Sequence, residues 1–167
     1  KEMNSLRTEI GFLFQGSALY DSMTVRENLE FPLRTYKEKL TNKYTLVNEA
    51  LESVGLAHAI DLMPEELSGG MKRRVALARA IIMCPKIVIF DEPTTGLDPI
   101  TAKEIIELMK DIQKKYNTSS LIITHDVDCA RVISNRMILL IDGINYAEGT
   151  FNELLAAKDK KIQAFFK

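Results

Sequence analysis

Two cysteines, Cys84 and Cys129, are all that 167 residues contain. They stand far apart without metal-ligand spacing, which favours reduced structural thiols of a cytosolic protein over a disulfide. Charge of one sign is also lacking, since 22 lysines and arginines meet 23 aspartates and glutamates for a net charge of −1. No global field therefore draws the chain to nucleic acid or to an anionic membrane, and nucleic acid is not an expected partner. No apolar run approaches the roughly 20 residues of a membrane helix. The first residues, Lys1-Glu2-Met3-Asn4, do not read as a signal peptide, and no repeat or low-complexity tract is present. Absent too is G-x-x-x-x-G-K-[ST], the loop that cradles the β- and γ-phosphates of a nucleotide.

What is present is the apolar fraction of an ordinary globular core, in a length suited to one domain or a large piece of one. Glu9 to Phe14 reads as a short buried strand, broken by Gln15-Gly16-Ser17. Thr24 can cap a helical turn carrying Val25, Leu29 and Leu33, which Pro32 would end or kink. Lys37 to Tyr44 is polar and reads as a solvated connection. From Leu46 a helical period sets in, with Gly55 placed as its C-terminal cap. Ser68 is a candidate N-cap for a helix whose stripe is Met71, Val75, Ala78 and Ile82, stopping at Pro85.

Lys72, Arg73 and Arg74 lie in the first turns of that helix, where its dipole disfavours cations, so a compensating anion is expected there. Ile87 to Phe90 has the continuous apolar character of a parallel strand covered on both faces. Asp98-Pro99 supplies a cap and a first-turn proline for a helix carrying Ile105, Leu108, Met109 and Ile112. Leu121 to Thr124 is a further strand, a helix follows His125-Asp126, and Met137–Ile141 with Ile144–Ala147 reads as a hairpin about Asp142-Gly143. From Phe151 to Lys167 the chain is helical and charged. Alternating strands and helices predict an α/β sheet, interrupted between Gly16 and Ser68 by a mainly helical insertion.

Two segments carry chemistry. Leu67-Ser68-Gly69-Gly70-Met71 places small residues at a helix N-terminus, where backbone N–H groups can meet an anion. Ile87-Val88-Ile89-Phe90-Asp91-Glu92 is an apolar strand that ends in two carboxylates, and Pro93-Thr94-Thr95-Gly96-Leu97-Asp98-Pro99 follows. Asp91 is placed to fix magnesium or its bound water. Either segment alone would pass for an ordinary glycine turn or a solvated strand end; their proximity in sequence makes those readings remote.

Together these residues resemble the ATP-binding subunit of an ABC transporter, with the signature motif at Leu67–Met71, the Walker B strand at Ile87–Glu92 and the D-loop at Gly96–Pro99. The resemblance implies a P-loop NTPase core with a mostly parallel sheet and an inserted helical subdomain. Catalytic core is expected at 1–16 and 85–150, the Q-loop and helical signature subdomain at 17–84, and C-terminal helices at 151–167. The missing phosphate loop makes the chain look like the C-terminal two-thirds of such a subunit. It also implies that these residues alone do not hydrolyse ATP. The absent strand before that loop would lie between Leu121–Thr124 and Met137–Ile141, leaving a gap that the chain is expected to close by strand rearrangement, exchange of elements or association.

The resemblance further implies ATP and Mg2+ as cofactors, with Glu92 as general base and Asp91 as magnesium ligand. Gln15 would touch the metal and the attacking water, and His125 would sense the γ-phosphate. Ser68, Gly69, Gly70 and Met71 would bind the phosphate held by a second ATPase subunit, and Asp98 would reach across that interface or serve as helix cap. His58, without a motif around it, reads as structural or exposed.

Implied partners are that second subunit, a transmembrane permease and a substrate-binding protein, with the chain held peripherally on the cytoplasmic face of the inner membrane. Met71 in place of the usual glutamine, and the stretch Phe12 to Leu33 with Thr24-Val25-Arg26-Glu27-Asn28-Leu29, resemble the lipid-trafficking branch of the Mla and Mce type. Two other readings are a soluble ABC ATPase of translation or repair and a non-catalytic interaction module. The first lacks here its coiled-coil insertion or second cassette; the second would be marked by a degenerate phosphate loop upstream.

Overall fold

The computed structural model describes residues 8–34 and 42–166. The sequence readings on residues 1–4 and on residues 37–41 of the polar connection lie outside them. The chain divides into two compact units, one ending at Ile123 and one beginning at Thr124.

In the first unit, β1 (Ile10–Leu13), β2 (Ile87–Asp91) and β3 (Ser119–Ile123) form a parallel sheet with β2 in the middle. Register sets Leu13 beside Phe90 and Asp91 beside Ile123, so the three strands leave the sheet along one edge. Side chains alternate with period two, which puts Gly11, Leu13, Val88 and Phe90 on one face, and all four are buried. On the other face Ile10, Ile87, Leu121 and Ile123 are exposed. Among the described residues only one face of Ile87–Phe90 is covered.

Helix α1 (Val25–Leu33) opens with a capping box in which Glu27 N donates to Thr24 Oγ1 at 3.2 Å and Thr24 N to Glu27 Oε2 at 2.8 Å. It closes one residue after Pro32. Helix α2 (Lys43–Ser53) starts earlier than its apolar period, because Asn42 caps it and its first turn, with Tyr44, faces solvent. Gly55 follows its end at φ +70°, the left-handed cap that its glycine suggested. Two 3₁₀ turns, Ala57–Ala59 and Pro64–Glu66, lead back to α3 (Gly69–Ile81).

Ser68 caps α3 by accepting from Met71 N at 3.2 Å. One apolar stripe is too narrow a description of this helix: Arg73, Val75, Ala76, Leu77, Ala78 and Ile81 are all buried, since α1, α2 and β1 pack around it. Its approach to the sheet is close. A Cβ on Gly11 would stand 2.2 Å from the Ala80 carbonyl oxygen. Helix α4 (Pro99–Tyr116) begins at the Asp98 cap, buries Ile105, Ile106, Met109 and Ile112, and ends on Asn117 at φ +49°.

The second unit contains α5 (Val127–Ile133), the hairpin β4 (Met137–Ile141) and β5 (Ile144–Gly149), and the short helices α6 (Phe151–Leu155) and α7 (Lys160–Gln163). Asp142 at φ +53° and Gly143 at φ +77° make the hairpin turn, matching the right-handed twist of its strands. Cys129, Ile133, Leu154 and Ile162 are buried apolar residues of this unit. β3 and β4 belong to different sheets. Among the described residues β3 pairs with β2 and β4 with β5.

Candidate functional site

In open α/β sheets ligands bind beyond the carboxyl ends of the strands. Two of the three exits belong wholly to the first unit: β1 runs into Phe14 and Gln15, and β2 ends on Asp91 with Glu92 next. The third leads to Thr124 and His125, where the second unit begins; His125 is exposed, and Asp126 caps α5 two residues before Asp128.

Gln15 is exposed and opens a strained segment, with Gly16, Ser17 and Ala18 in succession at φ +73°, +71° and +45°. Non-glycine residues adopt such angles only when surrounding contacts impose them. Those contacts are present. Arg79 Nη2 donates to the Ser17 carbonyl at 3.0 Å, and Ser17 N closes onto Phe14 O at 3.1 Å. Asn28, fully buried, accepts from Tyr20 N at 2.8 Å and donates to the carbonyls of Tyr20, Met23 and Thr24 at 3.0–3.1 Å. Burial pulls the Arg79 pKa down.

Glu92 is also left-handed, at φ +48°, with its N–H on the Ile123 carbonyl at 2.9 Å. Its carboxylate accepts from Thr95 Oγ1 at 3.0 Å. Asp91 and Glu92 are half-buried. Among the described residues no three histidine, cysteine or acidic side chains converge on a metal position. Two adjacent carboxylates suit magnesium, which keeps several waters and takes one or two carboxylates alongside phosphate oxygens.

At the head of α3, Ser68 and Gly69 are exposed and Gly70 meets α4: a Cβ there would stand 2.7 Å from Thr101 Cγ2. Met71 is half-buried. Asp98 accepts from Ile100 N and Thr101 N at 3.0 Å each and from Thr101 Oγ1, and these bonds hold its carboxyl below the usual carboxylate range. It is therefore the cap of α4. Of the three cations at this helix head, Arg73 and Arg74 are held by groups of the chain itself. Arg74 donates to Val54 O at 3.1 Å and pairs with Glu104 at 2.9 Å. Arg73 is buried, donates to Phe14 O at 3.2 Å and to Thr95 O at 3.1 Å, and burial lowers its pKa.

Sequence reasoning missed Asn28, Arg79 and Thr95 as organisers of these loops, and misread Arg73. The available signal was the placement of cations at the head of a helix, where the dipole opposes them. His58 is exposed on a 3₁₀ turn, as expected, and neither Cys84 nor Cys129 is in a disulfide.

The family model described as ABC transporter matches residues 1–95. The chain belongs to the ABC transporter family. It is 39% identical over 170 residues to the intermembrane phospholipid transport system ATP-binding protein MlaF of Haemophilus influenzae, covering 100% of this chain and 64% of that protein. To the methionine import ATP-binding protein MetN of Campylobacter jejuni it is 38% identical over 179 residues, 99% of this chain and 53% of that one. Among solved structures, the dimeric post-hydrolysis state of the ATP-binding cassette MJ0796 bound to ADP and Pi superposes with a TM-score of 0.78 at 32% identity, over 89% of this chain and 66% of that one. The ABC ATPase fold expected from the motifs is thus present, and the chain spans about half to two-thirds of the relatives' lengths.

Proposed function

We propose that these residues belong to a subunit that binds and hydrolyses ATP to power an ABC transporter. One observation carries the reading: Gln15 and the Asp91–Glu92 pair leave neighbouring parallel strands of one unit. Bound ATP with magnesium supplies the electrophilic phosphorus and neutralises phosphate charge. Asp91 would hold the ion, and Glu92 takes the proton of the attacking water. Gln15 orients that water, and His125 donates to the terminal phosphate.

The backbone N–H groups at Ser68-Gly69-Gly70 receive the phosphate bound by a second copy, with Met71 and Asp98 beside it, so hydrolysis belongs to a dimer. By themselves these residues carry no phosphate-cradling loop and are inactive. The proposed partners are a transmembrane permease, which keeps the subunit on the cytoplasmic face of the inner membrane, and a substrate-binding protein. No helix among the described residues is long and apolar enough to cross a membrane.

We also propose a phospholipid or another hydrophobic cargo, supported by Met71, by the Thr24–Leu29 stretch and by the likeness to MlaF. Methionine is the competing cargo, since MetN matches at nearly the same identity. Phosphate release by the complete subunit with its permease tests both readings. Stimulation by phospholipid and not by methionine is the expected result; absence of magnesium-dependent hydrolysis would sink the ATPase reading, and stimulation by methionine the lipid one.

A further inference from the structure

Arg73 is 3% exposed, yet its partners among the described residues are carbonyls and not carboxylates, and its Nε is buried with no hydrogen-bond partner. Burying a cation this way is costly unless its bonds are geometrically well made, and an apolar side chain of similar volume would cost the fold less. A purely structural role is therefore a poor account of it.

Its two bonds reach different places. Nη1 donates to the carbonyl of Phe14, the atom that belongs to the Phe14–Gln15 peptide unit. Nη2 donates to the carbonyl of Thr95, whose hydroxyl in turn donates to the Glu92 carboxylate. Both segments carry left-handed backbone, at Gly16–Ala18 and at Glu92, of the sort that relaxes when its restraints are removed. The planar guanidinium fixes two donors at a set separation, which the single ammonium of lysine cannot reproduce.

We propose that Arg73 is a positioning residue, a rigid strut that sets the segment bearing Gln15 against the segment bearing Glu92. The inference rests on the ATPase reading. Arg73 is buried on two backbone carbonyls and is none of the residues proposed to touch the nucleotide, so loss of the strut misplaces the water-orienting and proton-accepting groups without removing a proposed nucleotide ligand. Misplacement on the order of 1 Å lowers turnover about 100-fold.

The test uses the complete subunit with its permease and compares wild type, Arg73→Met and Arg73→Lys. Expected for Arg73→Met is a kcat lower by about 10- to 100-fold, an unchanged KM for ATP, a melting temperature equal to or above wild type, and faster amide exchange in residues 14–18 and 92–96. Arg73→Lys should recover only part of kcat. In a Glu92→Gln background Arg73→Met should cost less than it does in wild type, since the two changes act in part on the same group. Unchanged kcat, unchanged exchange in both loops, full recovery by lysine, or a loss of turnover that merely follows a lowered melting temperature would each overturn the proposal. Should the wild-type subunit itself fail to hydrolyse ATP, the ATPase reading fails first and the strut has no reaction to serve.

Discussion

Thr95 Oγ1 donates a hydrogen bond to Glu92 Oε2 at 3.0 Å. A carboxylate that accepts a proton from water must present one oxygen to it, and a neutral donor on the other oxygen fixes that orientation without cancelling the charge. Thr95→Val keeps the shape and deletes the donor. Turnover of the complete subunit should fall by about 10-fold or more, within the range of a poorly oriented general base, while ATP affinity measured by equilibrium binding stays level.

Glu92→Gln should remove the base and leave magnesium and nucleotide binding intact. ATP then accumulates in a closed dimer, seen by light scattering with ATP and magnesium, and turnover falls by about 100-fold or more. Asp91→Asn should instead weaken the magnesium dependence, read as a raised concentration for half-maximal activity. A Glu92→Gln protein that stays monomeric at wild-type turnover contradicts both assignments.

Two glycines should respond differently to alanine. At Gly70 the added carbon meets a side-chain methyl, Thr101 Cγ2, at 2.7 Å, whereas at Gly11 it meets the backbone carbonyl of Ala80 at 2.2 Å. Overpacking of this kind costs about 1–3 kcal/mol. Thr101→Ser removes the methyl and keeps the hydroxyl that bonds Asp98, so it should recover most of the loss in Gly70→Ala. No side-chain change can rescue Gly11→Ala, since backbone is what it strikes. Urea unfolding of the four variants and wild type measures the coupling directly.

Asp98 gives a pH signature. Its folded pKa lies below the unfolded one because Thr101 and the Ile100 N–H bond the charged form, so its contribution is present above about pH 4 and is lost as pH falls through the folded value. Asparagine caps helices about as well and does not ionise there. In Asp98→Asn the melting temperature should therefore decline less steeply between neutral pH and about pH 3 than in wild type. The exposure of the site keeps the difference small, and identical acid limbs would refute it.

Caps were legible because they are local. Thr24, Gly55, Ser68 and Asp98 each act within four residues of themselves, so their chemistry is written in the adjacent sequence. The carboxylate pair at the end of β2 was legible for the same reason. Arg73 reaching Phe14 and Arg79 reaching Ser17 were not, because these bonds join segments about sixty residues apart. One-sided burial of β2 was hidden as well: Ile87 and Val88 are equally apolar, and only the packing of helices on one face separates them. Tyr44 shows the converse, a first helical turn that is real and carries no apolar period because it faces water.

Of the two thiols, Cys129 is buried while Cys84 is exposed three residues past α3. A maleimide reagent would therefore mark one position on this chain without any cysteine being engineered or removed. That position sits beyond the far end of a helix of 13 residues, about 20 Å from the turn proposed to meet the partner's phosphate. Spin labels on two copies would turn nucleotide-driven assembly into a single measurable separation.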